Sequence, residues 1–148
     1  MTRVLHVLDH SLPLHSGYTF RTRAILTAQR DAGLEVSAIT GQRHNLEAAP
    51  AGAGPELIEG LAFHRTPGGA KGPPLLREWG EIAALDRAIR KLALGWRPDI
   101  IHAHSPALCG AAAARAARAL GVPLVYEIRA FWEDAAVGNR TGTEGSLK

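Results

Sequence analysis

The sequence predicts an α/β domain with a doubly wound, mostly parallel sheet and helices on both faces. Three observations carry that prediction. Pro98 to Ser105 reads as a buried strand ending in polar groups, and Val122 to Arg129 reads as a second strand ending the same way, with an alanine-dense helix from Leu108 to Leu120 between them. Strand, helix and strand in so short a span require a parallel crossover. The chain also opens on strand, helix and strand: Arg3–Asp9, then about Tyr18–Ala32, then Glu35–Thr40.

The first strand is apolar almost without alternation, as expected of a strand covered on both sides. In the first helix Phe20, Ala24, Ile25, Ala28 and Ala32 recur near a 3.6-residue period and are expected to face the core. Gly33 is suited to the left-handed residue that ends this helix. Gly41 to Pro55, rich in Ala, Gly and Pro, reads as a surface loop. Glu56–Ile58 and Leu61–Arg65 flank Glu59-Gly60 and suggest a short hairpin at a sheet edge. Leu76 to Leu94 has helical spacing through Ile82, Leu85, Ile89 and Leu92. In the helix from Leu108 to Leu120, Arg115 and Arg118 are expected on the exposed side. The parallel strands should lie in the order 3-2-1-4-5, so the winding direction reverses between the strands at Val4 and Ile100.

Composition narrows the function classes. The 148 residues fit one domain, which buries roughly two-thirds of its unfolded surface. Cys109 is the only cysteine, so no intrachain disulfide forms and a reducing compartment is expected. Val4-Leu5 and Val7-Leu8 are interrupted by His6 and stopped by Asp9 and His10, which is not a secretory pattern, and the expected location is cytoplasmic. No apolar run nears the roughly 20 residues of a membrane span. A net charge of +3 permits an anionic ligand or membrane surface without indicating a nucleic-acid partner.

In open α/β sheets ligands bind beyond the carboxyl ends of the strands. His104, Ser105, Glu127 and Arg129 are placed there, opposite the loop that ends in Ser16-Gly17. Ser16-Gly17 before a helix suits anion binding at a helix N-terminus, although a plain turn capped by Ser16 or Thr19 is the simpler reading. The loop has neither a G-x-G-x-x-G pattern nor a P-loop lysine. Arg129 could fork a phosphate or carboxylate and Trp132 could stack on a sugar ring; the alternative is a solvated exit loop with Arg129 paired to Glu133 or Asp134. Asp9 and His10 could reach the crevice, although capping the turn is the simpler role. His102 and His104 share a strand face, but a lone pair of histidines without cysteine or carboxylate partners is a weak ligand set. The reading is a core histidine at 102 and a pocket histidine at 104, with no metal; a metal hydrolase is the weakest option.

Arg3 to His10, the loop ending Ser16-Gly17, Arg97 to His104 and Tyr126 to Asp134, taken in order, resemble the N-terminal domain of family 4 glycosyltransferases. The likeness is strongest to the branch associated with exosortase-linked exopolysaccharide clusters. It implies half of a GT-B enzyme made of two Rossmann-like domains, in which this half holds the acceptor and a C-terminal domain, absent here, holds the nucleotide sugar. It further implies a retaining hexosyl transfer from a nucleotide sugar to a saccharide or lipid-linked acceptor in polysaccharide synthesis, without a cofactor, at the cytoplasmic face of the inner membrane. Residues 1–148 would then be a truncated acceptor domain that is inactive alone. Two positions depart from the wider family. Ser16-Gly17 stands where many members show paired glycines, and Arg129 falls where many carry a histidine, whose role passes to Arg129 or to none of these residues. The site expected from the resemblance and the topology is Ser16, Gly17, His104, Glu127, Arg129 and Trp132, with no catalytic residue assigned. The competing reading is a non-catalytic Rossmann-like module that binds a small anion.

Overall fold

The structure is a computed structural model that describes residues 1–48, 52 and 54–129. The strands are β1 (Arg3–Leu8), β2 (Glu35–Thr40), β3 (Glu56–Ile58), β4 (Leu61–Arg65), β5 (Ile100–His104) and β6 (Leu124–Glu127). The helices are α1 (Gly17–Asp31), α2 (His44–Glu47), α3 (Pro74–Gly95) and α4 (Ala107–Leu120). They build one sheet in the order β3-β4-β2-β1-β5-β6. All neighbours are parallel except β3, which pairs antiparallel with β4 around the left-handed Glu59-Gly60 turn. The five parallel strands therefore follow the expected 3-2-1-4-5 order, with the hairpin at one edge.

Alternation along the strands separates two layers. Leu5, Val7, Ile39, Ile101 and Ala103 point to one face and pack with Leu85 and Ile89 of α3 and with Cys109, Ala112, Ala113, Ala116 and Ala117 of α4. Small residues let α4 lie close to both the sheet and α3, and Arg115 and Arg118 stay exposed on its far side. Gly121, at φ 68° and ψ 33°, ends α4 in the left-handed region that a Cβ disfavours. On the opposite face Leu8, Leu12, Leu26, Ala38, Leu61 and Phe63 form a second cluster under α1.

Two expectations change. The sheet-facing side of α1 is Thr19, Thr22 and Leu26 rather than the predicted apolar set; Phe20 is 40% exposed, and Ala24 and Ala28 are exposed too. Periodicity located the helix but misassigned its inner face, because part of what α1 covers is polar. The loop from Gly41 also contains the single turn α2. It is held down by Asn45, whose amide donates to the carbonyls of Thr66 (2.7 Å) and Gly68 (2.9 Å), and by the buried His44, whose Nδ1 accepts from Ser11 N–H at 3.3 Å.

Candidate functional site at the carboxyl edge of the sheet

β1, β5 and β6 all end at the same edge as the N-terminus of α1, so four short segments converge there. Ser16, in extended conformation, is the N-cap of α1: its Oγ accepts from Thr19 N–H at 3.0 Å. This is the capping role weighed for it above. The Ser16 hydroxyl has a second connection, 3.0 Å from His10 Nε2, and His10 Nδ1 lies 2.9 Å from Asp9 Oδ2. A carboxylate can only accept, so His10 Nδ1 donates to Asp9; the Ser16 hydroxyl also lies 3.1 Å from Thr19 Oγ1, to which it donates. The first-turn N–H groups of Gly17 and Tyr18 have no intrahelical acceptor by their position. Gly17 does not have positive φ, and a Cβ built on it meets nothing within 4 Å. Open space, not backbone strain, is what distinguishes that position.

Tyr18 ties the first loop to the last strand. Its hydroxyl accepts from Asp9 N–H at 3.1 Å, its ring stacks on His10 at 4.5 Å, and the Arg129 guanidinium carbon lies over the ring, 4.1 Å from its centroid. Burial pushes the phenol well above its usual range. Arg129 is itself almost enclosed, its side chain 7% exposed. Nε donates to Glu127 Oε2 (3.2 Å), Nη1 to the Tyr18 carbonyl (2.8 Å), and Nη2 to Thr22 Oγ1 (2.6 Å) and His104 Nδ1 (2.8 Å). Among the described residues the guanidinium clamps α1 to β5 and β6, where a fork for phosphate or carboxylate was expected. Its alternative partners Glu133 and Asp134 lie outside the described residues, as does Trp132.

His104 was expected to line the crevice, but its ring has no accessible surface and reaches the edge only through Glu127 and Arg129. Behind it lies His6 of β1, its Nδ1 2.9 Å from His104 Nε2 and its Nε2 2.7 Å from Gln29 Oε1. One proton arrangement satisfies the series. Arg129 donates to His104 Nδ1, His104 Nε2–H to His6 Nδ1, and His6 Nε2–H to Gln29. The other tautomer of His104 would let Nδ1 donate to Glu127 Oε2 at 3.0 Å, but would set its proton against the Arg129 donor. Both rings are neutral: burial, foremost, pushes His6 down to about 4 and His104 down to about 2, with His6 and Arg129 adding to the effect on His104. His102 stacks on His104 at 4.4 Å, and its buried Nε2 has no partner among the described residues.

What remains presented to solvent at the edge is Asp9, His10, Ser16 and Glu127, joined by Arg21, whose Nη2 lies 3.6 Å from Glu127 Oε1. Of the expected residues, Ser16, Gly17, Glu127 and Arg129 are brought together, and His104 supports them from below. Tyr18, Arg21, Thr22, His6 and Gln29 were missed. The spacing of Tyr18, Thr22 and Gln29 along one helix side was the available signal, hidden by the neighbouring apolar set. A cavity of about 750 Å³ lies elsewhere, between β4 and α3, and is lined by Arg65, Arg87 and Lys91 among others. It shares no lining residue with this edge.

Three comparisons bear on the fold and class. The C-terminal domain of a hydrogenase from Pyrococcus furiosus superposes with a TM-score of 0.56 at 14% identity, over 85% of this chain and 91% of that one. MurG from Acinetobacter baumannii superposes with a TM-score of 0.55 at 15% identity, over 94% of this chain and 39% of MurG. At such identities these likenesses show the fold alone, and the second shows it to be that of one part of a longer protein. No curated protein sequence matches the chain. The sequence model of the glycosyl transferase 4-like domain, however, matches residues 16–146, and the chain belongs to that glycosyltransferase family.

Proposed function

We propose that this domain is the acceptor-binding half of a retaining hexosyltransferase, which moves a sugar from a nucleotide sugar to a saccharide or lipid-linked acceptor in polysaccharide synthesis. The exosortase-associated exopolysaccharide branch is the proposed setting. The single observation that carries this reading, beside the family, is the convergence of Asp9, His10, Ser16, Arg21 and Glu127 at one open sheet edge. Such a set suits a polyhydroxylated ligand: carboxylates accept from sugar hydroxyls, a guanidinium donates to them, and the α1 N-terminus favours a phosphate. Ser16, Gly17, Glu127 and Trp132 are the proposed contacts from the sequence, Arg21 is added by the geometry, and His104 and Arg129 hold Glu127 in place. No base is assigned, because a retaining transfer can pass the acceptor proton to the departing phosphate. In this reading the nucleotide sugar is held by a second domain.

Full-length protein incubated with a panel of nucleotide sugars is expected to hydrolyse or transfer from at least one of them. Turnover of none, by a protein that binds inorganic phosphate at this edge, would favour the second reading, a non-catalytic anion-binding module.

The proposed location is the cytoplasm, with peripheral contact at the inner membrane. No helix among the described residues is long and apolar enough to cross a membrane. The first two turns of α3 instead expose Leu75, Leu76 and Trp79 (67%, 67% and 69%) beside Arg77, a combination suited to an interfacial region. Cosedimentation with anionic vesicles, reduced by Trp79→Ala, is the expected result.

A further inference from the structure

The sequence offers two histidines on one strand, too few for a firm metal site. The fold supplies a third. β1 and β5 pair in parallel with His6 opposite His102, so His6, His102 and His104 lie on one face of adjacent strands. The ring centroids are 4.4 to 5.2 Å apart, and one ring nitrogen from each lies within 4.8 Å of the others. This face lies under α1, and Glu127, 3.0 Å from His104 Nδ1, links it to the exposed edge set.

We propose that His6, His102 and His104 form a binding site for one borderline divalent transition-metal ion, of which Zn²⁺ is the type, with solvent in the fourth position. Imidazole nitrogens suit that class of ion. Tetrahedral Zn–N bonds of about 2.0–2.1 Å place ligand nitrogens about 3.3–3.4 Å apart. The 2.9 Å contact between His6 Nδ1 and His104 Nε2 would open slightly, and the His102 ring, which stacks on His104 at an interplanar angle of 5°, would rotate about its Cβ–Cγ bond to bring its in-plane lone pair to the ion.

The surrounding groups fit a second shell. His6 Nε2–H already donates to Gln29 Oε1, leaving Nδ1 as a lone pair directed at the cluster. His104 has a carboxylate oxygen of Glu127 3.0 Å from Nδ1. Moving its proton from Nε2 to Nδ1 frees Nε2 for the metal and creates the carboxylate–histidine–metal arrangement that raises ligand basicity. No proton is gained or lost in that change. Arg129 Nη2 gives up one acceptor and keeps Thr22 Oγ1. Its charge opposes a nearby dication, and the Glu127 carboxylate offsets it. The His102 Nε2, buried without a partner among the described residues, gains one. Entry is from the side of β6: Val125, paired with His102, is 49% exposed, so α1 does not seal the site there.

The test uses the full chain, stripped with a chelator and titrated with CoCl₂ and with ZnCl₂. One equivalent of Co²⁺ is expected, with the intense visible absorption of a four-coordinate ion, together with a rise in melting temperature on adding Zn²⁺. His102→Ala and His102→Gln should abolish both, and since His102 Nε2 has no partner among the described residues, each variant should keep its fold by circular dichroism. Gln29→Leu should weaken binding about tenfold. His15→Ala, at an exposed histidine, should change nothing. Substoichiometric binding, or the same Co²⁺ spectrum in both folded His102 variants, would overturn the site.

Discussion

Beneath α3 and α4 the sheet is dry, lined by Leu5, Val7, Ile101 and Ala103 against a row of alanines. Beneath α1 the same strands present His6, His102 and His104, and the helix answers with Thr22 and Gln29. Because side chains alternate along a strand, one backbone serves both purposes. Non-directional burial on one side fixes the strands, while directional hydrogen bonds on the other fix where polar groups stand. The first side tolerates little change of volume, and the second little change of chemistry.

The largest effect is expected on the dry side. Leu5→Ala deletes a side chain with no exposed surface and should cost about 2–5 kcal/mol in denaturant unfolding, while the histidine imidazole NMR signals keep their positions. If those signals shift as far as the stability does, the two faces are not separable. Next comes Arg129→Lys. An ammonium cannot reach Glu127, Tyr18, Thr22 and His104 together, so about 1.5–3 kcal/mol of stability should go. Unchanged melting with a raised acceptor KM would restore the phosphate fork.

A pH effect should appear at His44. Burial, with Arg65 secondary, lowers it to about 4, so it is neutral when folded and titrates near its ordinary value when unfolded. The unfolded chain therefore binds the extra proton. The contribution is complete above about pH 6.5 and falls by up to about 1.4 kcal/mol per pH unit as the pH drops toward 4. Comparing denaturant curves of wild type and His44→Leu over pH 4–7 isolates it, and parallel curves would refute it. Smaller still is Ser16→Ala, expected to cost about 1 kcal/mol as a lost cap. At the neighbouring Gly17, Gly17→Val should stay within about 0.5 kcal/mol of wild type, since no strain or clash awaits it. Any loss of acceptor or phosphate binding in that folded variant would then report on the ligand.

The fold was legible because burial writes itself into spacing. The continuous apolar runs at Val4 and Ile100, the glycine stop at Gly33 and the Glu59-Gly60 turn each reflect a local requirement that holds whatever the tertiary context. The site was legible only in part. Ser16 and Glu127 could be placed because strand and helix ends define the crevice. The inner face of α1 could not, since Thr19, Thr22 and Gln29 look like a solvated side until His6 and His104 are found opposite them. His6 itself interrupts an apolar strand, and its partnership with His104 spans 98 positions, which spacing cannot show. Arg129 lies near that edge, but its role depends on how many of its own donors neighbouring acceptors already occupy, which the sequence does not show.

The position of β1 has a consequence for synthesis. One edge of β1 pairs with β2 soon after it emerges, while the other waits for β5, roughly a hundred residues later; at about 5–20 residues per second that is on the order of 5–20 s on the ribosome. Throughout that interval an apolar strand has an unsatisfied row of backbone groups. A nascent chain stalled shortly before Ile100 should therefore be protease-sensitive and bound by chaperones, and one extended past Leu120 should be markedly less so.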